Sequence, residues 1–161
     1  MTRTPSLLLA GLALAAAPLA AQVTDAGERI HFLRVVAKDY VFEAKPTSPA
    51  GITTIQLVNQ GGDIHHLLIV ELPTNRTPKE FYETNRATGA MPAWAKVVAQ
   101  TPTIPANGEV FLTQRLEAGR YILSCQLAAS DGRSHVAKGM YQLITVTPSA
   151  AAPRVAGTRK P

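Results

Sequence analysis

The chain has 161 residues, of which 46% are hydrophobic, and a formal net charge of +5. From this length we expect one globular domain with a closed hydrophobic core, and no second domain. The net positive charge comes mainly from the ends of the chain. Residues 22–147 are nearly neutral, because they hold 12 of the 16 Lys and Arg residues and all 11 acidic residues. We therefore expect no nucleic-acid partner.

Residues 1–21 have the pattern of a secretory signal peptide. Arg3 carries the positive charge, an apolar stretch follows over residues 7–17, and small residues stand at Ala20 and Ala21. The apolar stretch is short for a bilayer, and no later run approaches membrane length. We expect an exported protein, periplasmic or secreted, without a transmembrane segment.

The rest of the chain alternates short strand patterns with turn residues. Candidate strands, rich in β-branched and aromatic residues, cover residues 30–42, 52–59, 67–72, 110–116, 121–126 and 140–146. Turn residues lie between them, including a predicted turn over residues 45–51. This pattern predicts one all-β, Greek-key β-sandwich over residues 22–147. Residues 148–161 have no apolar periodicity and are predicted to be a disordered tail.

One short helix interrupts the strands. Thr77 and Glu80 have the spacing of a capping box, and Pro78 stands at the first helical position. We predict a helix over residues 78–86 that ends near Gly89. The aromatic residues of this insertion are expected to pack it against one edge of the sandwich.

Cys125 is the one cysteine of the chain, so it cannot form an intramolecular disulfide. In an exported protein, such a thiol is either a buried, inert apolar group or a metal ligand. His135 follows it, and Met140 stands five positions after His135. Thiolate, imidazole and thioether together are the donors that copper prefers, whereas a thioether is rarely a zinc ligand.

A second imidazole would have to come from the adjacent pair His65 and His66. This pair follows a turn-forming segment, residues 59–63, and precedes an apolar strand. Neighbours on an extended strand point to opposite faces, so we expect only one of the two histidines to face a metal.

These motifs resemble those of the cupredoxin family, of the plastocyanin and azurin type. Residues 59–65, Asn-Gln-Gly-Gly-Asp-Ile-His, are similar to the first-histidine motif, and residues 119–125 are similar to the Gly-x-Tyr-x-x-x-Cys strand. Residues 135–140 have plastocyanin's His-x4-Met spacing, and residues 38–42 resemble the first strand of many bacterial members. The resemblance spans most of residues 30–147.

The resemblance implies a type 1 copper site in a one-electron carrier that is not an enzyme. The implied ligands are His65, Cys125, His135 and Met140. Met140 would tune the potential, and His135 would be the more exposed ligand and the point of electron entry, with His65 buried. We expect a monomer, whose redox partner protein the sequence does not identify.

One departure from the family leaves alternatives open. Nine residues separate Cys125 from His135, more than in plastocyanin or azurin. The turn signal Asp131-Gly132 predicts an excursion that returns the chain to the site. Otherwise His135 lies outside an incomplete site, and the second imidazole would be His66 beside His65, although strand geometry argues against both binding one metal. A separate alternative is that the sandwich is a binding module that is metal-free or stores or delivers copper. A Cys-His hydrolase is less favoured, since no oxyanion-hole motif is evident.

Overall fold

The computed structural model describes residues 29–149. The predicted signal peptide, and the predicted tail beyond residue 149, lie outside the described residues. In chain order the elements are β1 (His31–Lys38), β2 (Val41–Ala44), β3 (Thr47–Pro49), β4 (Gly51–Asn59), β5 (Leu68–Glu71), α1 (Pro78–Thr88), β6 (Lys96–Gln100), β7 (Glu109–Leu116), β8 (Gly119–Ser124), a 3-10 turn (Val136–Lys138) and β9 (Tyr141–Thr147).

The strands form two mixed sheets. The first sheet has the strand order β2-β1-β4-β7, and the second has the order β3-β9-β8-β5-β6. The pairs β1–β4 and β3–β9 are parallel, and the other neighbours are antiparallel. The predicted all-β sandwich with one short helix is therefore confirmed.

Two hydrophobic cores hold the layers together. Inward-facing residues of both sheets, such as Leu33 and Ile55 from the first and Leu123 from the second, form the inner core. The outer core lies on the other face of the second sheet, where Ile122 packs in the same cluster as Phe81 of α1. Because this sheet is covered on both faces, β8 is buried from Tyr121 to its end, as expected for a doubly covered strand.

Helix α1 begins as the capping box predicts. The Thr77 hydroxyl accepts from Glu80 N at 3.2 Å, and the Glu80 carboxylate accepts from Thr77 N at 2.7 Å. The helix ends two residues later than predicted, before Gly89, whose φ of 71° suits a left-handed cap. Within residues 29–149, no helix combines the length and the apolar character needed to cross a membrane.

The prediction that the insertion packs against an edge of the sandwich is wrong. Phe81 is fully buried on the outer face of the second sheet, where it packs in one cluster with the apolar side chains of Leu68, Val70 and Ile122. Strand β6, absent from the sequence prediction, forms the edge by pairing with β5. Strand β3 likewise replaces part of the predicted turn, since it pairs with β9.

One end of the sandwich gathers the residues singled out by the sequence. Strands β1 and β4 run parallel and both finish there, at Lys38 and Asn59. In the second sheet, β8 ends next to the start of its antiparallel neighbours β5 and β9. The loops that follow β4 and β8 therefore meet at this end.

Candidate metal centre

His65, Cys125 and His135 form a buried cluster whose potential ligand atoms all lie within 4.8 Å of one another. His65 Nδ1 lies 3.1 Å from His135 Nδ1, and His135 Nδ1 lies 3.4 Å from Cys125 Sγ. Two imidazole nitrogens and a sulfur thus converge on one place.

The loop after β4 fixes the backbone of His65. The buried Asn59 side chain donates to the Asp63 carbonyl at 2.8 Å and accepts from Gly61 N at 2.9 Å, which closes the loop. His65 then exchanges two backbone hydrogen bonds with Ile104, of 3.1 and 2.8 Å. These contacts set the position from which the imidazole reaches the cluster.

His66 makes different contacts from its neighbour. Its Nε2 accepts a hydrogen bond from the backbone N–H of Gln126 at 2.9 Å. Its own backbone N–H is hydrogen-bonded to the Cys125 sulfur, as is that of Leu127. His66 therefore supports the cluster through its backbone, and its imidazole is not part of the cluster.

The nine residues between Cys125 and His135 form a small hairpin. Ala128 and Ser134 make a β-bridge across it, and Gly132 turns the chain with a φ of 76°. The His135 N–H then donates to the Leu127 carbonyl at 2.8 Å. The excursion returns His135 beside Cys125.

Met140 lies in the backbone framework of the same cluster. Its carbonyl accepts from Cys125 N at 3.3 Å, and its N–H donates to the His135 carbonyl at 2.9 Å. Its side chain is fully buried and belongs to the same core as that of Cys125. Its role as a copper ligand stays a prediction.

Solved structures share this architecture. Reduced auracyanin from Roseiflexus castenholzii is 20% identical and matches with a TM-score of 0.52, over 73% of this chain and 97% of that one. The fold is that of the cupredoxins. Auracyanin A, a "blue" copper protein from Chloroflexus aurantiacus, is 17% identical (TM-score 0.50, 74% of this chain and 100% of that one). Rusticyanin from Thiobacillus ferrooxidans is 19% identical (TM-score 0.50, 73% and 77%).

At these identities the likeness concerns the cupredoxin fold alone. No family model matches the chain, and no curated protein matches its sequence. The chemistry of the site therefore has to be judged from the residues that this chain places at the end of the sandwich.

Asp39 is a functional candidate that the sequence analysis missed. Its Oδ1 lies 3.1 Å from His65 Nε2, the nitrogen that faces away from the cluster. The carboxylate also accepts from the N–H groups of Gly62 and Asp63, at 2.8 and 3.1 Å. The hydrogen bond from Gly62 is the main reason why the pKa of Asp39 lies below its usual value. The turn between β1 and β2 thus places a carboxylate against the outer nitrogen of His65.

The sequence predicts His135 to be the more exposed ligand, but the structure buries it about as fully as His65, with 1% and 0% of their surfaces accessible. The Tyr40 ring packs edge-on against it, with centroids 5.0 Å apart, and Lys138 Nζ lies 4.5 Å from the centre of the same ring. Tyr40 donates to Asp63 Oδ2 at 2.9 Å, and that oxygen lies 3.8 Å from His135 Nε2. In this cupredoxin fold, the tyrosine stands between His135 and the surface.

Burial favours the neutral forms of the Cys125 thiol and the His135 ring in the metal-free protein. It raises the pKa of the Cys125 thiol, although the N–H groups of His66 and Leu127 oppose this effect. Burial, and to a smaller extent the neighbouring His65, lower the pKa of His135. Binding of a metal ion would therefore release the thiol proton.

The donor set fits copper. Two imidazoles and one thiol, with the Met140 side chain buried in the same core as Cys125, supply the mixed nitrogen and soft sulfur donors that copper prefers. A structural zinc site usually needs two or more cysteines in a His and Cys set of four, and the chain has one cysteine.

Proposed function

We propose that this protein is an exported one-electron carrier with a single type 1 copper ion. The observation that carries the proposal is the convergence of His65 Nδ1, His135 Nδ1 and Cys125 Sγ at one end of a cupredoxin fold. These three residues would hold the ion, and Met140 would supply a thioether. Copper, when bound, supplies reversible one-electron chemistry.

The surrounding chain keeps these ligands fixed. His65 is held by its bridge to Ile104, and Cys125 and Met140 are joined through their backbones. The N–H groups of His66 and Leu127 hydrogen-bond the sulfur and stabilise its negative charge once the thiol proton leaves. A centre of this kind changes little between oxidation states, which favours rapid electron transfer over catalysis.

The decisive experiment is a titration of the purified protein with Cu(II), followed by visible spectroscopy. We expect an intense charge-transfer band that saturates at one equivalent, because a copper-thiolate bond absorbs strongly. Cys125→Ser and His65→Gln should lose or strongly alter this band. His66→Gln is the matched control and should keep it, since the His66 ring lies outside the cluster. A wild-type protein that stays colourless would overturn the proposal.

Voltammetry of the copper protein distinguishes a carrier from a store. A carrier gives a reversible one-electron wave, whereas a copper store or delivery protein binds Cu(I) tightly without a visible band or a reversible wave.

Cys125 should also resist alkylation in the folded, metal-free protein, because it is fully buried and its pKa is raised. Rapid alkylation would favour a thiol enzyme instead.

Export rests on the signal-peptide pattern of residues 1–21. Mass spectrometry of the protein recovered from bacterial periplasm should find an N-terminus just after Ala20 or Ala21. Intact residues 1–21 on cytoplasmic protein would contradict export and leave the copper proposal untouched.

A further inference from the structure

We propose that Asp39 is a positioning residue of the metal centre. It holds His65 with Nδ1 turned toward the cluster, and its negative charge favours Cu(II) over Cu(I). The second part of this inference rests on the proposed copper function, whereas the first part concerns the metal-free protein as well.

The two nitrogens of His65 have different partners. Nε2 lies 3.1 Å from Asp39 Oδ1, and Nδ1 lies 3.1 Å from His135 Nδ1. An ionised carboxylate only accepts hydrogen bonds, so in the neutral tautomer that satisfies Asp39, Nε2 carries the proton and Nδ1 keeps its lone pair. Asp39 thereby selects the tautomer that binds a metal through Nδ1.

Asp39 is itself held in place, although its side chain is 42% exposed. Oδ2 accepts from Gly62 N and Oδ1 accepts from Asp63 N. Gly61 approaches so closely that a Cβ there would overlap the carboxylate. The carboxylate is therefore preorganised toward His65, unlike a freely rotating surface acid.

The charge of Asp39 acts on the metal through one imidazole. A carboxylate bonded to the outer nitrogen of a ligating histidine makes that ligand more basic, which favours the more highly charged metal ion. The carboxylate of Asp63 interacts with His135 in a similar way but more weakly. Its Oδ2 lies 3.8 Å from His135 Nε2 and also accepts a hydrogen bond from the Tyr40 hydroxyl. The effect of removing charge should therefore be larger at Asp39 than at Asp63.

Reduction potentials of the copper-loaded variants test this order. Asp39→Asn should raise the potential by at least about 30 mV, which corresponds to a roughly threefold change in the relative affinity for Cu(I) and Cu(II) at 59 mV per tenfold. Asp63→Asn should give a smaller rise. Glu71→Gln is the matched control, since Glu71 is 47% exposed, pairs with Lys96 and lies at the end of β5 away from the cluster. Equal shifts for Asp39→Asn and Glu71→Gln would overturn the specific role of Asp39.

The tautomer is measured separately, by ¹⁵N NMR of the His65 ring in the copper-free protein. The wild type should carry its proton on Nε2, Asp39→Ala should lose this preference, and Asp39→Asn should keep it because the amide oxygen still accepts. A proton on Nδ1 in the wild type would overturn the proposal even if Asp39→Ala fails to fold. If the wild type binds no copper, the function proposed above fails while this measurement still decides the positioning role.

Discussion

At the scale of single residues, Gly61 controls how closely the loop after β4 approaches the turn after β1. A Cβ at position 61 would overlap the Asp39 carboxylate and crowd the Asp39 backbone nitrogen. At Gly62 the nearest atom to a Cβ would be Asp39 Oδ2 at 3.4 Å, which is an ordinary contact. A side chain is therefore expected to fit at position 62 but not at position 61.

Gly61→Ala should therefore destabilise the protein by about 1–3 kcal/mol, as overpacking does elsewhere. Gly62→Ala is the matched control and should change stability by no more than about 0.5 kcal/mol. Denaturant unfolding of the two copper-free variants measures the difference. Equal stabilities would show that the Asp39 side chain moves aside at no cost.

Sequence reasoning identified the cluster residues but not the residues behind them. The alternation of an extended strand implied that only one of His65 and His66 faces a metal, and the fold places only His65 in the cluster. Asp39 gave no comparable signal, because its contact with His65 depends on two loops meeting in space. The exposure predicted for His135 failed for the same reason, since Tyr40 comes from the turn between β1 and β2.

At the scale of elements, α1 is connected to the hairpin of residues 126–134 through one buried side chain. Asn85 Nδ2 donates to the Gln126 side-chain oxygen at 2.6 Å, and the Ser134 hydroxyl donates to Asn85 Oδ1 at 2.6 Å. Ser134 immediately precedes His135, so the helix constrains the chain next to a candidate ligand.

Asn85→Ala should cost about 1–3 kcal/mol, because it removes two short hydrogen bonds of a buried side chain, to the half-buried Gln126 and Ser134. Asn75→Ala, at an exposed position, is the control and should have little effect. Chemical unfolding of the copper-free proteins measures both. If Asn85→Ala is as stable as the control, the connection between α1 and the hairpin does not contribute to stability.

The N-terminus of α1 predicts a pH dependence. The Thr77 N–H bonded to Glu80 is the main cause that holds the pKa of that carboxyl below its usual 4.5. Ionised Glu80 therefore stabilises the fold above pH 4.5, and this contribution is lost as the pH falls through the lowered pKa of the folded state. Wild type should exceed Glu80→Gln in stability at pH 7, and the gap should shrink as the pH falls below 4.5. A gap that is independent of pH would contradict the ionised capping box.

The elements that sequence predicted correctly carry their own local signals. Thr77, Pro78 and Glu80 define where α1 starts without reference to the rest of the chain. Strands β3 and β6 lack such signals, because β3 has three residues including Pro49 and β6 is largely exposed. Both strands lie at the edges of their sheet and are defined by pairing with a neighbour, which depends on tertiary structure.

At the scale of the whole molecule, the candidate ligands come from distant parts of the chain. His65 lies in the loop from β4 of the first sheet to β5 of the second, whereas Cys125 and Met140 adjoin β8 and β9 of the second. A metal bound by all of them would connect regions that separate on unfolding. Stability should therefore depend on the metal.

Copper should raise the midpoint of thermal unfolding, since the unfolded chain does not assemble the site. The free energy of unfolding should rise by about 4 kcal/mol at a free copper concentration 1,000 times the dissociation constant. Cys125→Ser should lose most of this gain. Ser124→Ala is the neighbouring control and should retain it, because the Ser124 hydroxyl is buried without a hydrogen-bond partner. An equal gain in both variants would place the stabilising copper elsewhere.

The hairpin of residues 126–134 has a consequence for the lifetime of a bound ion. His135 and Cys125 are enclosed, and the chain between them is closed by the Ala128–Ser134 bridge and attached to α1. Local opening of this segment would expose the cluster, so the residence time of an ion bound there should depend on the frequency of opening as well as on ligand strength. Electrons and ions would then leave the same centre on very different timescales.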